Sequence, residues 1–240
     1  MGREVLMQPS GSSQSGIAVT GGSFIVKDGW GYLRGGSRPS PTRGKPMIPK
    51  ASDIFDQAPQ RYGRFDKYTR LGCAALALAL RDAAIDCGNE QRSIGIVTSS
   101  KWETTKVDTE YYHGTLKEGG AFASPNLFSY TLPGVMLGEC AVQFGVKGPT
   151  VCVGETEKWG ECALATALRL LDSMTVSVMV AGWVDDPPGE SADAAGAVAV
   201  VLERVPQTVP GPVKWIRRHE GRLYDENGRE VVSLFDLFGL

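Results

Sequence analysis

"GPTVCVGETEKWGECALATALRLL" (148–171) decides how this chain is read. "TVCVGE" (150–155) is a short apolar run of strand type. "EKWGECALATALRLLDS" (157–173) repeats its apolar residues at helical spacing. Between them the chain turns sharply. Enzymes often mount a nucleophile on such a turn, yet this one carries Glu155, Glu157 and Lys158 and has no Ser or Cys at its crest. The plain reading is a helix cap. Thr156 or Glu157 near the start, with Glu161 a turn later, satisfies free backbone N–H groups, worth about 1 kcal/mol. Lys158 reads as a salt-bridged or solvated residue and Trp159 as a packing residue.

The flanking sequence repeats the strand and helix alternation. "SGIAVTGGSFIV" (15–26) is a buried strand with a Gly–Gly interruption, and "RSIGIVTSS" (92–100) is another. "DKYTRLGCAALALALRDAAI" (66–85) is a helix capped by Asp66, apolar nearly all round and therefore buried. A loop leads into a helix near Pro133, and "TVSVMVAGWVDD" (175–186) and "AAGAVAVVLERV" (194–205) are two more strands. The final segment holds a hairpin pattern with "DENGRE" as its turn. These elements predict an α/β domain with a mostly parallel central sheet flanked by helices. The predicted division is a loose tail over 1–15, a domain over 16–205 and a C-terminal extension over 206–240.

The bulk numbers exclude several classes. The chain has 240 residues and a net charge of −2, which argues against a nucleic-acid binder. Five cysteines, none in CxxC spacing, and two histidines argue against zinc. Asp108, Glu110 and His113 lie close in "VDTEYYHG" but offer a single imidazole. Cys152 and Cys162 flank the turn and fit strand and helix interiors as packing residues. No cofactor signature is present: "GESADAAG" lacks the strand-then-GxGxxG order of a dinucleotide site. No apolar run reaches the ~20 residues needed to span a bilayer. A soluble, cytoplasmic protein with reduced thiols is expected. The basic loop "GGSRPSPTRGK" (35–45) is either solvated or a dock for an acidic carrier protein or a phosphate.

Four stretches in order carry a family resemblance. "YGRFDKYTRLGCAALALALRDA" (62–83), "SYTLPGVMLGECAVQFGVKGPTVCV" (129–153) and the strands "VSVMVAGWVDD" and "GAVAVVLE" together resemble β-ketoacyl synthases from about Gly16 to Val205. The resemblance implies a thiolase-like half-fold. It also implies where the family nucleophile belongs. Family members carry Cys in a "DTACSS" turn, and counting from Gly148-Pro149 that Cys falls on Glu157. The two histidines of the family's second half have no counterpart here, and His219 lacks their flanking motif.

What the resemblance implies for function follows from that replacement. A carboxylate keeps the negative charge but loses the nucleophilicity of a thiolate at a helix end. The expected function is a non-catalytic partner or chain-length-type subunit of an active ketosynthase in fatty-acid or polyketide-type biosynthesis. A full-length ketosynthase or an acyl carrier protein is then the partner, with a homodimer as a further option. The alternative is an acyl-thioester hydrolase or decarboxylase with Glu157 as acid or base, or a homodimeric acyl-binding protein. Phe128, Tyr130, Leu132 and Met136 are expected to line a pocket or an interface, or simply to pack in the core, and Trp159 to fill space beside the elbow.

Overall fold

The computed structural model describes residues 16–36, 38–41, 43–86, 93–156, 158–173, 176–189, 193–204, 211 and 213–239. The expected tail over 1–15 lies outside them. Strands are β1 (Ile17–Val26), β2 (Gly29–Tyr32), β3 (Ile94–Ser100), β4 (Thr150–Gly154), β5 (Val178–Asp185), β6 (Gly196–Glu203), β7 (Lys214–His219) and β8 (Arg222–Asp225). Helices are α1 (Ala51–Ile54), α2 (Lys67–Asp82), α3 (Thr105–Leu116), α4 (Pro125–Phe128), α5 (Gly134–Phe144) and α6 (Glu161–Asp172).

The strands form one sheet in the order β4-β3-β5-β6-β1-β7-β8, with β2 paired to β1. It is a mixed sheet, which corrects the expectation of a mostly parallel one. Only β3–β4 and β3–β5 are parallel pairs; β5–β6, β6–β1, β1–β7, β7–β8 and β1–β2 are antiparallel. Apolar runs in β5 and β6 correctly signal burial on both faces, but burial does not set direction. Direction follows from the connection. No helix is described between β5 and β6, so β6 returns alongside β5 in the opposite sense.

Each sheet face carries its own core. α2 and α5 cover one face, with Leu71, Leu76, Leu78, Leu80, Met136 and Cys140 packed on Ile96 and Val180. α6 and the C-terminal residues Val231, Leu234, Phe235, Leu237 and Phe238 cover the other, on Val97, Met179 and Val200. α2 starts where its sequence says: the Asp66 carboxylate accepts the N–H groups of Tyr68 (2.9 Å) and Thr69 (3.1 Å). Gly145, left-handed at φ 61°, terminates α5.

The Gly–Gly interruption of β1 has a structural cause. The register shifts between Val19 and Gly21, and the chain there approaches the end of α2. A Cβ on Gly21 would lie 2.3 Å from the backbone nitrogen of Ala83. The Gly22 N–H donates to the Asp82 carboxylate at 2.9 Å.

The C-terminal segment joins the sheet through β7, which pairs with β1. The turn joining β7 to β8 is Glu220–Gly221, left-handed at φ 48° and 80°, as a two-residue hairpin turn requires. The "DENGRE" stretch forms the next turn along, as expected. It brings Glu230 back to pair with Tyr224, and the Asp225 carboxylate accepts the N–H groups of Asn227 and Arg229. Among the described residues no helix is long and apolar enough to cross a membrane.

Gly21→Ala should destabilise the fold by about 1–3 kcal/mol, because the backbone of Ala83 cannot yield as a side chain would. Urea denaturation would measure it; an unchanged midpoint would contradict the close approach.

Candidate functional site

The C-terminal ends of β3, β4 and β5 come together and set polar side chains where open α/β sheets hold their sites. β3 ends in Ser99 and Ser100, the chain leaves β4 through Glu155, and β5 runs into Asp185 and Asp186. All five are buried.

Glu155 occupies the elbow. Its carboxylate accepts the Ser99 hydroxyl, the Gly160 N–H at 2.6 Å and the Cys162 N–H at 3.4 Å. These last two are free N–H groups at the start of α6, which begins at Glu161. Among the described residues the cap comes from Glu155 rather than from the expected Thr156, and α6 opens only at Glu161. Glu157, the position matched to the family nucleophile, lies outside the described residues. Lys158 forms an exposed ion pair with Glu161 at 3.1 Å.

Backbone strain marks the same turn. Trp159 is held at φ 23° and Gly160 at φ 98°, the former a position that side-chain-bearing residues rarely adopt. The C-terminal segment clamps them. The Leu234 N–H donates to the Trp159 carbonyl at 3.1 Å, and a Cβ on Gly160 would lie 2.4 Å from the Leu234 side chain. The Phe235 ring meets Trp183 at 5.8 Å and Trp159 at 6.2 Å, both edge to face.

Asp185 is heavily hydrogen-bonded. It accepts the Ser100 hydroxyl (2.6 Å), the Trp102 N–H (2.9 Å), the Lys101 N–H (3.1 Å) and the Trp183 indole N–H (2.8 Å). Burial still pushes its carboxyl above the ordinary value of 3.8, with these donors opposing the rise. Asp186 receives Lys67 at 2.5 Å and Lys106 at 2.9 Å.

A cleft of about 420 Å³ opens over this arrangement, walled by Trp159 and Trp183 and edged by Arg43, Lys101 and Lys158. Other expected site residues lie elsewhere. Tyr130 and Met136 are buried in the core, whereas Phe128 and Leu132 are exposed. Trp159 alone of the expected pocket residues lines the cleft. Cys152 is half-buried beside the Tyr68 hydroxyl, but Cys162 is exposed, correcting its reading as a helix-interior residue. Partial desolvation, then the charges of Glu155 and Glu161, raise the Cys162 thiol above its ordinary value, which lowers its thiolate content. Among the described residues no group of three or more metal-ligating side chains converges.

The model of the β-ketoacyl synthase N-terminal domain matches residues 44–205. This chain belongs to the β-ketoacyl synthase family. It is 28% identical over 162 residues to a polyketide β-ketoacyl synthase 1 of Streptomyces virginiae, a match covering 64% of the chain and 36% of that relative. It is 29% identical over 192 residues to the granaticin polyketide β-ketoacyl synthase 1 of Streptomyces violaceoruber, covering 72% of the chain and 45% of that relative. The chain thus spans less than half the length of these curated relatives. Among solved structures it is similar to the ishigamide ketosynthase/chain length factor, with a TM-score of 0.64 at 16% identity over 84% of this chain and 65% of that one. The thiolase-like half-fold implied by the resemblance is the fold of this family chain.

Glu155, Asp185, the Ser99–Ser100 pair and Phe235 are the site residues that sequence reasoning missed. An acidic residue closing an apolar strand was the available signal in "TVCVGE" and "AGWVDD". Phe235 gave none, because its neighbours in the site are 52 and more positions away.

Glu155→Ala should cost about 1–3 kcal/mol of stability, since it strands the buried Ser99 hydroxyl and Gly160 N–H; chemical denaturation reads this. The indole proton of Trp183 should report Asp185 by NMR, titrating with a midpoint above 3.8. With the folded value raised, the stability from protonating Asp185 is complete below the unfolded pKa. It is lost as pH climbs through the folded one. A midpoint at or under 3.8 would contradict the burial argument.

Proposed function

We propose that this chain is a non-catalytic member of the β-ketoacyl synthase family, a partner or chain-length-type subunit of an active ketosynthase in fatty-acid or polyketide-type biosynthesis. One observation carries the non-catalytic part. The start of α6, where a helix end would favour a thiolate, is already filled by the chain's own Glu155 carboxylate. No Cys or Ser stands between Gly154 and Gly160 to attack a thioester.

The partner role draws support from the surface. Among the described residues, six of the nine exposed large hydrophobics fall between Tyr112 and Val142: Tyr112, Leu116, Phe122, Phe128, Leu132 and Val142. They sit on α3, α4, α5 and the links between them, and Tyr111 packs on Phe128 at 5.3 Å to join α3 to α4. A concentration of this kind marks a protein-binding face. β4 is the edge strand of the sheet among the described residues. The Ile96 N–H bonds to the Pro149 carbonyl and the Glu155 N–H to the Ser100 carbonyl. By the alternation of the parallel ladder, the Thr150 and Cys152 N–H groups point away from β3. An open edge beside an apolar strip suits a second subunit of the same fold. The ishigamide structure named above, a ketosynthase with a chain length factor, is consistent with this pairing. An acyl carrier protein is the second partner this reading allows.

Co-expression with a polyketide ketosynthase should yield a complex that survives size-exclusion chromatography. Val142→Asp and Thr150→Pro should each abolish it while leaving the melting temperature of the isolated chain nearly unchanged, because Val142 is 85% exposed and the Thr150 N–H is free of the ladder. Condensation of acyl thioesters by the isolated chain would overturn the reading.

A further inference from the structure

Among the described residues the cleft above the elbow is lined by three carboxylates and three cations, but they are not equally available. Glu155 and Asp185 are buried, and their oxygens receive Ser99, Ser100, backbone N–H groups and the Trp183 indole. Asp193 receives Lys101 at 3.1 Å and the Trp102 indole at 2.7 Å. The acidic groups therefore face protein donors. The cations face solvent: Lys158 and Lys101 are more than a third exposed, and Arg43 is exposed and forms no ion pair among the described residues. What the cleft presents to a ligand is the Arg43 guanidinium beside the part-exposed ring of Trp159, with the ion-paired Lys101 and Lys158 at its edge and the buried Trp183 beneath.

We propose that this cleft is a reversible binding site for a free organic carboxylate with a flat, unsaturated or aromatic body. The body lies against the Trp159 indole, and the carboxylate meets Arg43, with Lys101 and Lys158 beside it. Arginine suits this role because its planar fork takes both oxygens of one carboxylate. The Trp159 indole favours a planar body over a saturated chain by stacking, and Phe235 holds that ring edge to face while packing on the buried Trp183. A volume of about 420 Å³ is within the usual range for small-molecule sites. The inference rests on the non-catalytic reading in one respect: the ligand is held as an acid and forms no bond to the chain.

The test uses the full chain with trans-cinnamate and, as the uncharged counterpart, cinnamyl alcohol, followed by calorimetry and saturation-transfer NMR. Cinnamate should bind saturably with one site, and cinnamyl alcohol at least about fivefold more weakly. Arg43→Ala should weaken cinnamate by a similar factor and leave the alcohol unchanged. Trp159→Gly, which also suits the φ of 23° at that position, should weaken both. Equal binding of acid and alcohol, no binding of either, or full affinity in a folded Arg43→Ala variant would each overturn the proposal. Complex formation with a ketosynthase is read separately, through Val142 and Thr150, so the failure of one idea is distinguishable from the failure of the other.

Discussion

The Glu155 carboxylate bonds at once to the end of β3 through Ser99 and to the start of α6 through the Gly160 and Cys162 N–H groups. A buried carboxylate without such donors would be expelled or neutralised. With them it becomes the pin of the elbow. It fixes how far the chain travels beyond β4 before helix begins, and so places Trp159 at the cleft. The left-handed Gly160 follows from the same constraint, because the chain must reverse toward the pin and still admit Leu234.

That pin also separates the two roles a turn of this shape can serve. A helix end offers a fixed number of unpaired N–H groups. Those given to Glu155 are withdrawn from any thiolate, oxyanion or ligand. The start of α6 is thereby occupied by the protein's own carboxylate, and the exposed charged groups lining the cleft among the described residues are Arg43, Lys101 and Lys158. The apolar strip on α3, α4 and α5 belongs to different elements of the chain from those that line the cleft. The proposed ligand site and the proposed docking face therefore draw on separate residues.

The C-terminal segment ties these features to the fold. β7 extends the sheet beyond β1, and residues 231–238 then pack over α6 and reach the elbow. They lie beyond the region matched by the family model, which ends at 205. Val231, Leu234 and Phe235 bury the outer side of α6 in place of solvent, and Phe235 braces both tryptophans of the cleft. The strained φ of Trp159 is tolerated because its carbonyl and its ring are both held by this segment.

Local chemistry was enough to read much of this chain. Asp66 as the cap of α2, the Ala- and Leu-rich burial of that helix, the strand before the elbow and the apolar strands β5 and β6 depend on neighbours within a few positions. Periodicity and capping report such neighbours directly. The family and its half-fold were likewise legible in "SYTLPGVMLGECAVQFGVKGPTVCV". Strand direction was not legible, because an apolar run buries equally well either way up and only the path from β5 to β6 decides. Nor was the part of Glu155 in capping α6, since choosing it over Thr156 requires knowing where Ser99 lies. Tyr130 and Phe128 are two residues apart and chemically alike, yet one is buried and the other exposed. Burial at that resolution is settled by what packs against each ring, and those partners are brought near only by the tertiary structure.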